Sequence, residues 1–310
     1  RLRCDWSSDV CSSDLRSCAV PWVTGPKKPV WSSVSSTMAT ASILSPEQIS
    51  SFHDRGVLKV DFSLATDLLD NIVGKVHPYY SQEFRRGEFV IDRVQDAWKL
   101  VDEVRQLAVH KSVTTALEQL LGRKPLAFQT LNFPRATEQQ PHADVLHFNS
   151  EPGGYMVGVW VALEDIDEDN GPLIYYPGSH RLPEYSMLDF DLKPGFDDYP
   201  EYEQRIQRII QEQGLSPEYG LVKRGEAIIW HANLLHGGAA YKDRTRTRHS
   251  QVTHYYFENC RYFTPMFSGK RRRRYRFPFW IPETDQFTLP EDRSLPAQFL
   301  RRVINKLRGG

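Results

Sequence analysis

The chain has 310 residues, 40% of them apolar, with 39 Lys+Arg set against 39 Asp+Glu. A chain of this length buries a full core within one ordinary domain, and its charge balance creates no global field favouring nucleic acid. No apolar run approaches the ~20 residues of a membrane span. Four cysteines, three of them in the first eighteen residues, make no disulfide framework, so a soluble, cytoplasmic protein is the expectation.

The opening segment Cys4-Asp5-Trp6-Ser7-Ser8-Asp9-Val10-Cys11-Ser12-Ser13-Asp14-Leu15 has no apolar period and no turn logic, and it resembles a translated sequencing-library adapter. Residues 1–37 are therefore expected to be a non-native, disordered leader, with a genuine targeting leader as the alternative. Residues 38–310 are expected to form one domain. Order begins at Ser45-Pro46-Glu47-Gln48, which reads as an N-cap serine, a proline at the first helical position and a capping-box glutamine. That helix stops at Gly56, and Val57 to Val60 is a short strand. Leu64 to Val76 repeats leucine, isoleucine and valine at helical spacing. A longer helical region, from about Asp96 to Leu121, divides near His110. Leu100, Val104, Leu107, Val113, Leu117, Leu120 and Leu121 mark its buried side.

From Pro125 the period becomes two. Strands are predicted at Leu126 to Phe133, around His142 and Asp144, and at Tyr155 to Leu163. Others follow at Leu173 to Tyr176, Ala227 to Trp230 and Ser250 to Phe257. Asp169-Asn170-Gly171 and Pro177-Gly178-Ser179 supply turns, and Glu201 to Gln213 is a helical insertion. The pattern predicts a mainly β fold with flanking helices around an antiparallel sandwich or jelly-roll core. Lys270 to Arg274 reads as a solvated charge run able to attract phosphate-bearing substrates, and Tyr275 to Pro282 as an aromatic segment packed on the barrel.

The chemistry centres on Gln139-Gln140-Pro141-His142-Ala143-Asp144-Val145-Leu146-His147-Phe148. On a strand, His142 and Asp144 share a face. They supply two ligands of a 2-His-1-carboxylate triad, whose opposite face stays open on Fe(II). His236, 94 residues after His142, supplies the third, and Arg248 follows twelve residues later. Period two places Arg248, Ser250, Val252 and His254 on one inward face. A buried cation there needs an anion, and the distal carboxylate of a 2-oxo acid fits a guanidinium fork, with Ser250 sharing the load. His147 and His254 read as pocket-wall or core histidines, and His180 and His231 as structural.

The stretches QQPHADVLHF, GVWVALEDIDEDNGPLIYYPGSH and HGGAAYKDRTRTRHSQVTHYY resemble the phytanoyl-CoA dioxygenase family of Fe(II)/2-oxoglutarate oxygenases. The resemblance runs from about Ser45 to Glu258 and implies a double-stranded β-helix, related to the cupins. It implies metal ligation by His142, Asp144 and His236, and a 2-oxoglutarate arginine at Arg248. Trp160 falls where the family has a tryptophan beside the co-substrate, and Gln129 lies on a strand lining its other side. The implied reaction uses O2 and 2-oxoglutarate to hydroxylate a C–H bond of a small molecule, with succinate and CO2 as co-products and ascorbate as a stimulant. Acyl-bearing and phosphate-bearing compounds are the substrate classes considered. Asp144 separates the chain from halogenating relatives, in which a small residue replaces that carboxylate. Gly238 departs from a serine common in the family. The rival classes are an inactive jelly-roll binding module and a cupin-type metalloenzyme that does not use 2-oxoglutarate.

Overall fold

The computed structural model describes residues 42–284, so the proposed leader lies outside the described residues. In chain order the elements are α1 (Pro46–Arg55), β1 (Val57–Asp61), α2 (Thr66–Val76), α3 (Gln82–Arg85), β2 (Val94–Gln95), α4 (Asp102–Ala108) and α5 (Lys111–Leu121). Then come β3 (Pro125–Phe133), β4 (Asn149–Glu151), β5 (Met156–Ala162), β6 (Leu173–Tyr175), α6 (Tyr199–Glu212) and β7 (Glu218–Tyr219). The series ends with β8 (Glu226–His231), β9 (His236–Gly238), β10 (Ser250–Phe257), β11 (Arg261–Phe263) and β12 (Tyr275–Arg276). No described helix is long and apolar enough to cross a membrane.

The largest sheet is six-stranded, in the order β1-β8-β5-β10-β3-β2; two three-stranded sheets, β7-β6-β9 and β12-β11-β4, complete the core. All their pairings are antiparallel. The architecture is the expected double-stranded β-helix with flanking helices.

Strand alternation divides the six-stranded sheet into two faces. Val157, Val159, Val161, Ala227, Ile229, Tyr255 and Phe257 point outward into a core shared with Ile72 of α2, Val104 and Leu107 of α4, and Leu117 and Leu120 of α5. Polar contacts reinforce this layer: Gln251 donates to the Val104 carbonyl (3.0 Å) and the Tyr255 hydroxyl to the Ala108 carbonyl (2.7 Å). Gly158, Trp160, Ser250, Val252 and His254 alternate onto the other face, toward the interior of the barrel.

The local signals at the N-terminus hold. Ser45 Oγ accepts the Gln48 N–H (3.3 Å) while Gln48 Oε1 accepts the Ser45 N–H (2.8 Å), which closes the capping box. Gly56 caps the other end at φ +74°, donating to Phe52 O, and a Cβ there would also lie 2.4 Å from His180 Nδ1. The region from Asp96 differs from expectation. Asp96 is left-handed (φ 55°) and opens only a 3-10 turn at Ala97–Lys99, and α4 starts at Asp102. That break shifts the helical phase, so Leu100 is 57% exposed rather than buried.

Candidate metal centre

His142 and Asp144 do not lie on a continuous strand. His142 forms an isolated antiparallel bridge with His236, each N–H donating to the other's carbonyl (2.9 and 3.0 Å). The chain then leaves the extended conformation, and Asp144–Leu146 is a 3-10 turn. Its path is fixed by Val145 N–H donating to Ala232 O (3.0 Å), while the His147 and Phe148 N–H groups turn back onto Asp144 O. The expected strand is therefore a bridge followed by a turn, and the bridge holds the two histidines with ring centroids 4.5 Å apart.

The bridge demands close backbone approach. A Cβ at Gly237 would lie 2.6 Å from Gln139 O, and one at Gly238 2.9 Å from Glu138 N. These are backbone atoms, so a serine at 238 has no room. The departure at Gly238 follows from this packing.

One ligand atom from each of His142, Asp144 and His236 lies within 4.8 Å of the others, and all three residues are buried. The Nε2 atoms of His142 and His236 stand 3.7 and 3.8 Å from Asp144 Oδ1. The Nδ1 atoms face the carbonyls of Gln140 and Leu234, each at 3.0 Å. A carbonyl only accepts, so Nδ1 carries the proton and Nε2 presents its lone pair inward. Burial foremost, then the neighbouring His236, pushes His142 down to about 4, which keeps it neutral at physiological pH. Burial alone would raise the Asp144 carboxyl, but His236, His254 and His142 together outweigh it and hold the group well below the usual carboxylate range. Two imidazoles presenting Nε2 and an anionic carboxylate converging on one point form a donor set that suits Fe(II).

A second layer around this cluster was not legible in the sequence. The Trp230 indole N–H donates to Asp144 Oδ2 (2.7 Å), leaving Oδ1 facing the histidines. His254 stands between Gln129 Oε1 (3.0 Å) and Asp144 Oδ2 (3.6 Å). Gln129, expected beside a co-substrate, is thus engaged with His254, because the β3–β10 register sets the two opposite each other. Gly158 lies under the indole: a Cβ there would sit 2.3 Å from the Trp230 ring. His231 and His180 are structural, as expected. His231 Nδ1 accepts the Asn233 N–H (3.1 Å), and His180 Nε2 lies 3.0 Å from His53 O.

These contacts carry a prediction. Trp230→Phe keeps the ring and removes the donor, and Gly158→Ala forces the ring aside. Partners behind metal ligands are worth about 10–100-fold in affinity, so anaerobic competition titration should show Fe(II) binding weakened by about tenfold or more in both variants. Gly158→Ala should in addition lose about 1–3 kcal/mol of stability through overpacking.

Arg248 does not open β10; that strand begins at Ser250. Its N–H nevertheless continues the pairing, donating to Pro134 O (2.9 Å), which keeps the side chain on the inward face. The residue is 4% exposed, and its guanidinium lies 5.4 Å from the centre of the Trp160 ring. It reaches only Ser250 Oγ and Arg135 O, both at 3.4 Å. Among the described residues no carboxylate pairs with it. Glu164, the nearest acid to influence it, already accepts from Thr247 Oγ1 (2.9 Å) and from the His249 N–H. Burial pushes Arg248 down to about 10, which leaves it charged at neutral pH. Arg248 Nε and Trp160 Nε1 are both buried donors without an acceptor. A charged fork and a second orphan donor, side by side, suit the carboxylate of a co-substrate.

The phytanoyl-CoA dioxygenase (PhyH) family model matches residues 40–249. The chain belongs to the phytanoyl-CoA dioxygenase family. Among its relatives, peroxisomal phytanoyl-CoA dioxygenase of Rattus norvegicus is 28% identical over 196 residues, covering 59% of this chain and 54% of the rat protein. Phytanoyl-CoA dioxygenase domain-containing protein 1 of Danio rerio is 30% identical over 172 residues, covering 50% of this chain and 56% of that protein. The chain thus spans a little over half the length of these relatives. The fold is shared with EctD from S. alaskensis, solved with 2-oxoglutarate and 5-hydroxyectoine (TM-score 0.57, 17% identity, 83% of this chain and 89% of that one). It is shared too with the epimerase SnoN, solved with Fe3+, alpha ketoglutarate and nogalamycin RO (TM-score 0.52, 20% identity, 70% and 84%).

Proposed function

We propose that this phytanoyl-CoA dioxygenase family member is an Fe(II)- and 2-oxoglutarate-dependent oxygenase that hydroxylates a C–H bond of a small molecule. The observation that carries this reading is the buried, carboxylate-free Arg248, which shares an inward sheet face with the layer behind the His142–Asp144–His236 cluster. His142 and His236 would hold the iron through Nε2 and Asp144 through Oδ1. When bound, the iron supplies the O2 activation that couples oxidation of 2-oxoglutarate to succinate and CO2 with hydroxylation of the substrate.

The chain's own residues bind, orient and exclude water. The carbonyls of Gln140 and Leu234 set the tautomers of the two histidines. Trp230 leaves one Asp144 oxygen facing the cluster, and a carboxylate at this position favours hydroxylation over halogenation. Arg248 would grip the distal carboxylate of 2-oxoglutarate, with Ser250 Oγ and the Trp160 N–H as neighbours. Phe148 and His254, both buried with ring centroids 5.2 Å apart, would wall the interior against water. A dry site strengthens each of these electrostatic contacts.

The test is turnover. Purified protein supplied with Fe(II), O2, 2-oxoglutarate and fractionated metabolite mixtures should form succinate above its uncoupled background with at least one fraction. A protein that binds iron yet consumes no 2-oxoglutarate, with or without added metabolites, would overturn the proposal. Unchanged activity in Arg248→Ala would favour a cupin-type enzyme that needs no oxo acid.

A further inference from the structure

The segment after β10 was expected to be a solvated charge run followed by aromatics packed on the barrel. The charge run is exposed as expected, while the aromatics pack only in part. β11 and β12 pair in the register Tyr262↔Arg276 and Phe263↔Tyr275, and the connection between them ends in a tight turn closed by Gly269 and Arg272 (2.9 and 3.2 Å). Lys270, Arg271, Arg272 and Arg274 are exposed on this hairpin. Among the described residues none of these four has a carboxylate partner, whereas Arg261 and Arg273 share Glu151. The hairpin therefore carries uncompensated positive charge on a chain that is neutral overall.

The aromatics that follow do not all pack. Arg276 faces inward, its guanidinium 4.8 Å from the centre of the Phe148 ring. Ile281 is buried and donates its N–H to Ala127 O (2.8 Å). Around these two anchors the segment leaves rings at its surface: Tyr275 is 38%, Phe277 52% and Phe279 57% exposed. Tyr275 lies against Phe263 and Arg261 and its hydroxyl donates to Glu151 Oε2 (3.4 Å), whereas Phe277 and Phe279 are the most exposed rings of the segment. A row of large exposed rings is a feature that monomer surfaces do not usually carry.

We propose that this hairpin and aromatic row form a docking surface for an anionic lipid membrane. Four uncompensated cations alone would suit any polyanion. The adjoining rings select among them, because a bilayer interface accommodates amphipathic rings at headgroup level while its anionic lipids attract the neighbouring cations. A duplex nucleic acid would use the cations and leave the rings in water. The contact is peripheral: the segment lies on the interface and does not span it. Iron binding plays no part in it, so this docking and the oxygenase chemistry stand or fall separately.

Vesicle co-sedimentation tests the proposal, comparing phosphatidylcholine vesicles with vesicles containing phosphatidylserine and with a single-stranded oligonucleotide. Wild-type protein should sediment with the anionic vesicles, and less so as salt rises. The quadruple variant Lys270→Ala/Arg271→Ala/Arg272→Ala/Arg274→Ala should lose about tenfold or more of this binding. Phe277→Ser/Phe279→Ser should weaken it while the salt dependence of the residual binding persists. The substituted side chains are exposed, so both variants should keep the wild-type melting temperature and Fe(II) affinity. The proposal fails if wild-type protein ignores anionic vesicles, if either variant sediments like wild type, or if the oligonucleotide binds through these residues more tightly than the vesicles do.

Discussion

His142→Ala should abolish Fe(II) binding at micromolar metal, and His236→Ala should weaken it severely, by more than about a hundredfold. Each substitution removes one of three protein ligands, a larger loss than the 10–100-fold typical of the partners behind them. Each also removes the imidazole donor to a backbone carbonyl, of Gln140 or of Leu234, and at the buried Leu234 the loss costs about 1–3 kcal/mol. Both variants should fold, His236→Ala with a lowered melting temperature. Anaerobic equilibrium dialysis is the check, with circular dichroism to confirm the fold. Full iron occupancy in both variants would mean that the cluster is not the metal site.

The second large effect concerns Arg248. Removing one partner of a buried charge pair costs about 3–5 kcal/mol, so Arg248→Met should bind 2-oxoglutarate a few hundred- to a few thousand-fold more weakly, on the order expected from that energy. Arg248→Lys should recover only part of the loss, because an ammonium cannot reproduce the planar fork. Both variants should bind Fe(II) as wild type does. The same substitution carries a stability signature. Without 2-oxoglutarate, the wild-type protein buries a guanidinium that has no carboxylate partner, and an unpaired buried charge is destabilising. Arg248→Met should thus melt no lower than wild type in the absence of co-substrate, and addition of 2-oxoglutarate should raise the melting temperature of wild type alone. Calorimetric titration and thermal melts read the two effects. Wild-type affinity for 2-oxoglutarate in Arg248→Met would remove the co-substrate assignment.

What the sequence made legible follows the range of the interactions concerned. Ser45, Gln48 and Gly56 act within one or two helical turns, so α1 could be read from end to end. The identities of His142, Asp144, His236 and Arg248 were legible because their spacing and order match a family pattern. The backbone that presents His142 and Asp144 was not. Alternation suggested a strand, but the bridge to His236 and the Val145–Ala232 hydrogen bond bend the chain, and both partners lie some ninety residues away. Trp230 and Gly158 lay hidden for the same reason, as did the contact of the inward-facing His254 with Asp144: each acts across strands, through registers that no local pattern encodes. Leu100 misled because a helical period was extended through Asp96, whose left-handed backbone breaks it. Gly238 reads as a departure in sequence and becomes intelligible beside the Glu138 backbone. Phe277 and Phe279 show the converse, where aromatic composition suggested burial and the rings are exposed.

Iron held by the triad and 2-oxoglutarate held by Arg248 should meet at one site. The most direct measurement is anaerobic: Fe(II) is added to the purified protein, followed by 2-oxoglutarate, and the visible spectrum is recorded. A metal-to-ligand charge-transfer band should appear, saturating at one iron and one 2-oxoglutarate per chain, absent in His142→Ala and requiring far higher co-substrate in Arg248→Met. Iron binding with no such band at saturating 2-oxoglutarate, or a band unchanged in both variants, would contradict this assignment.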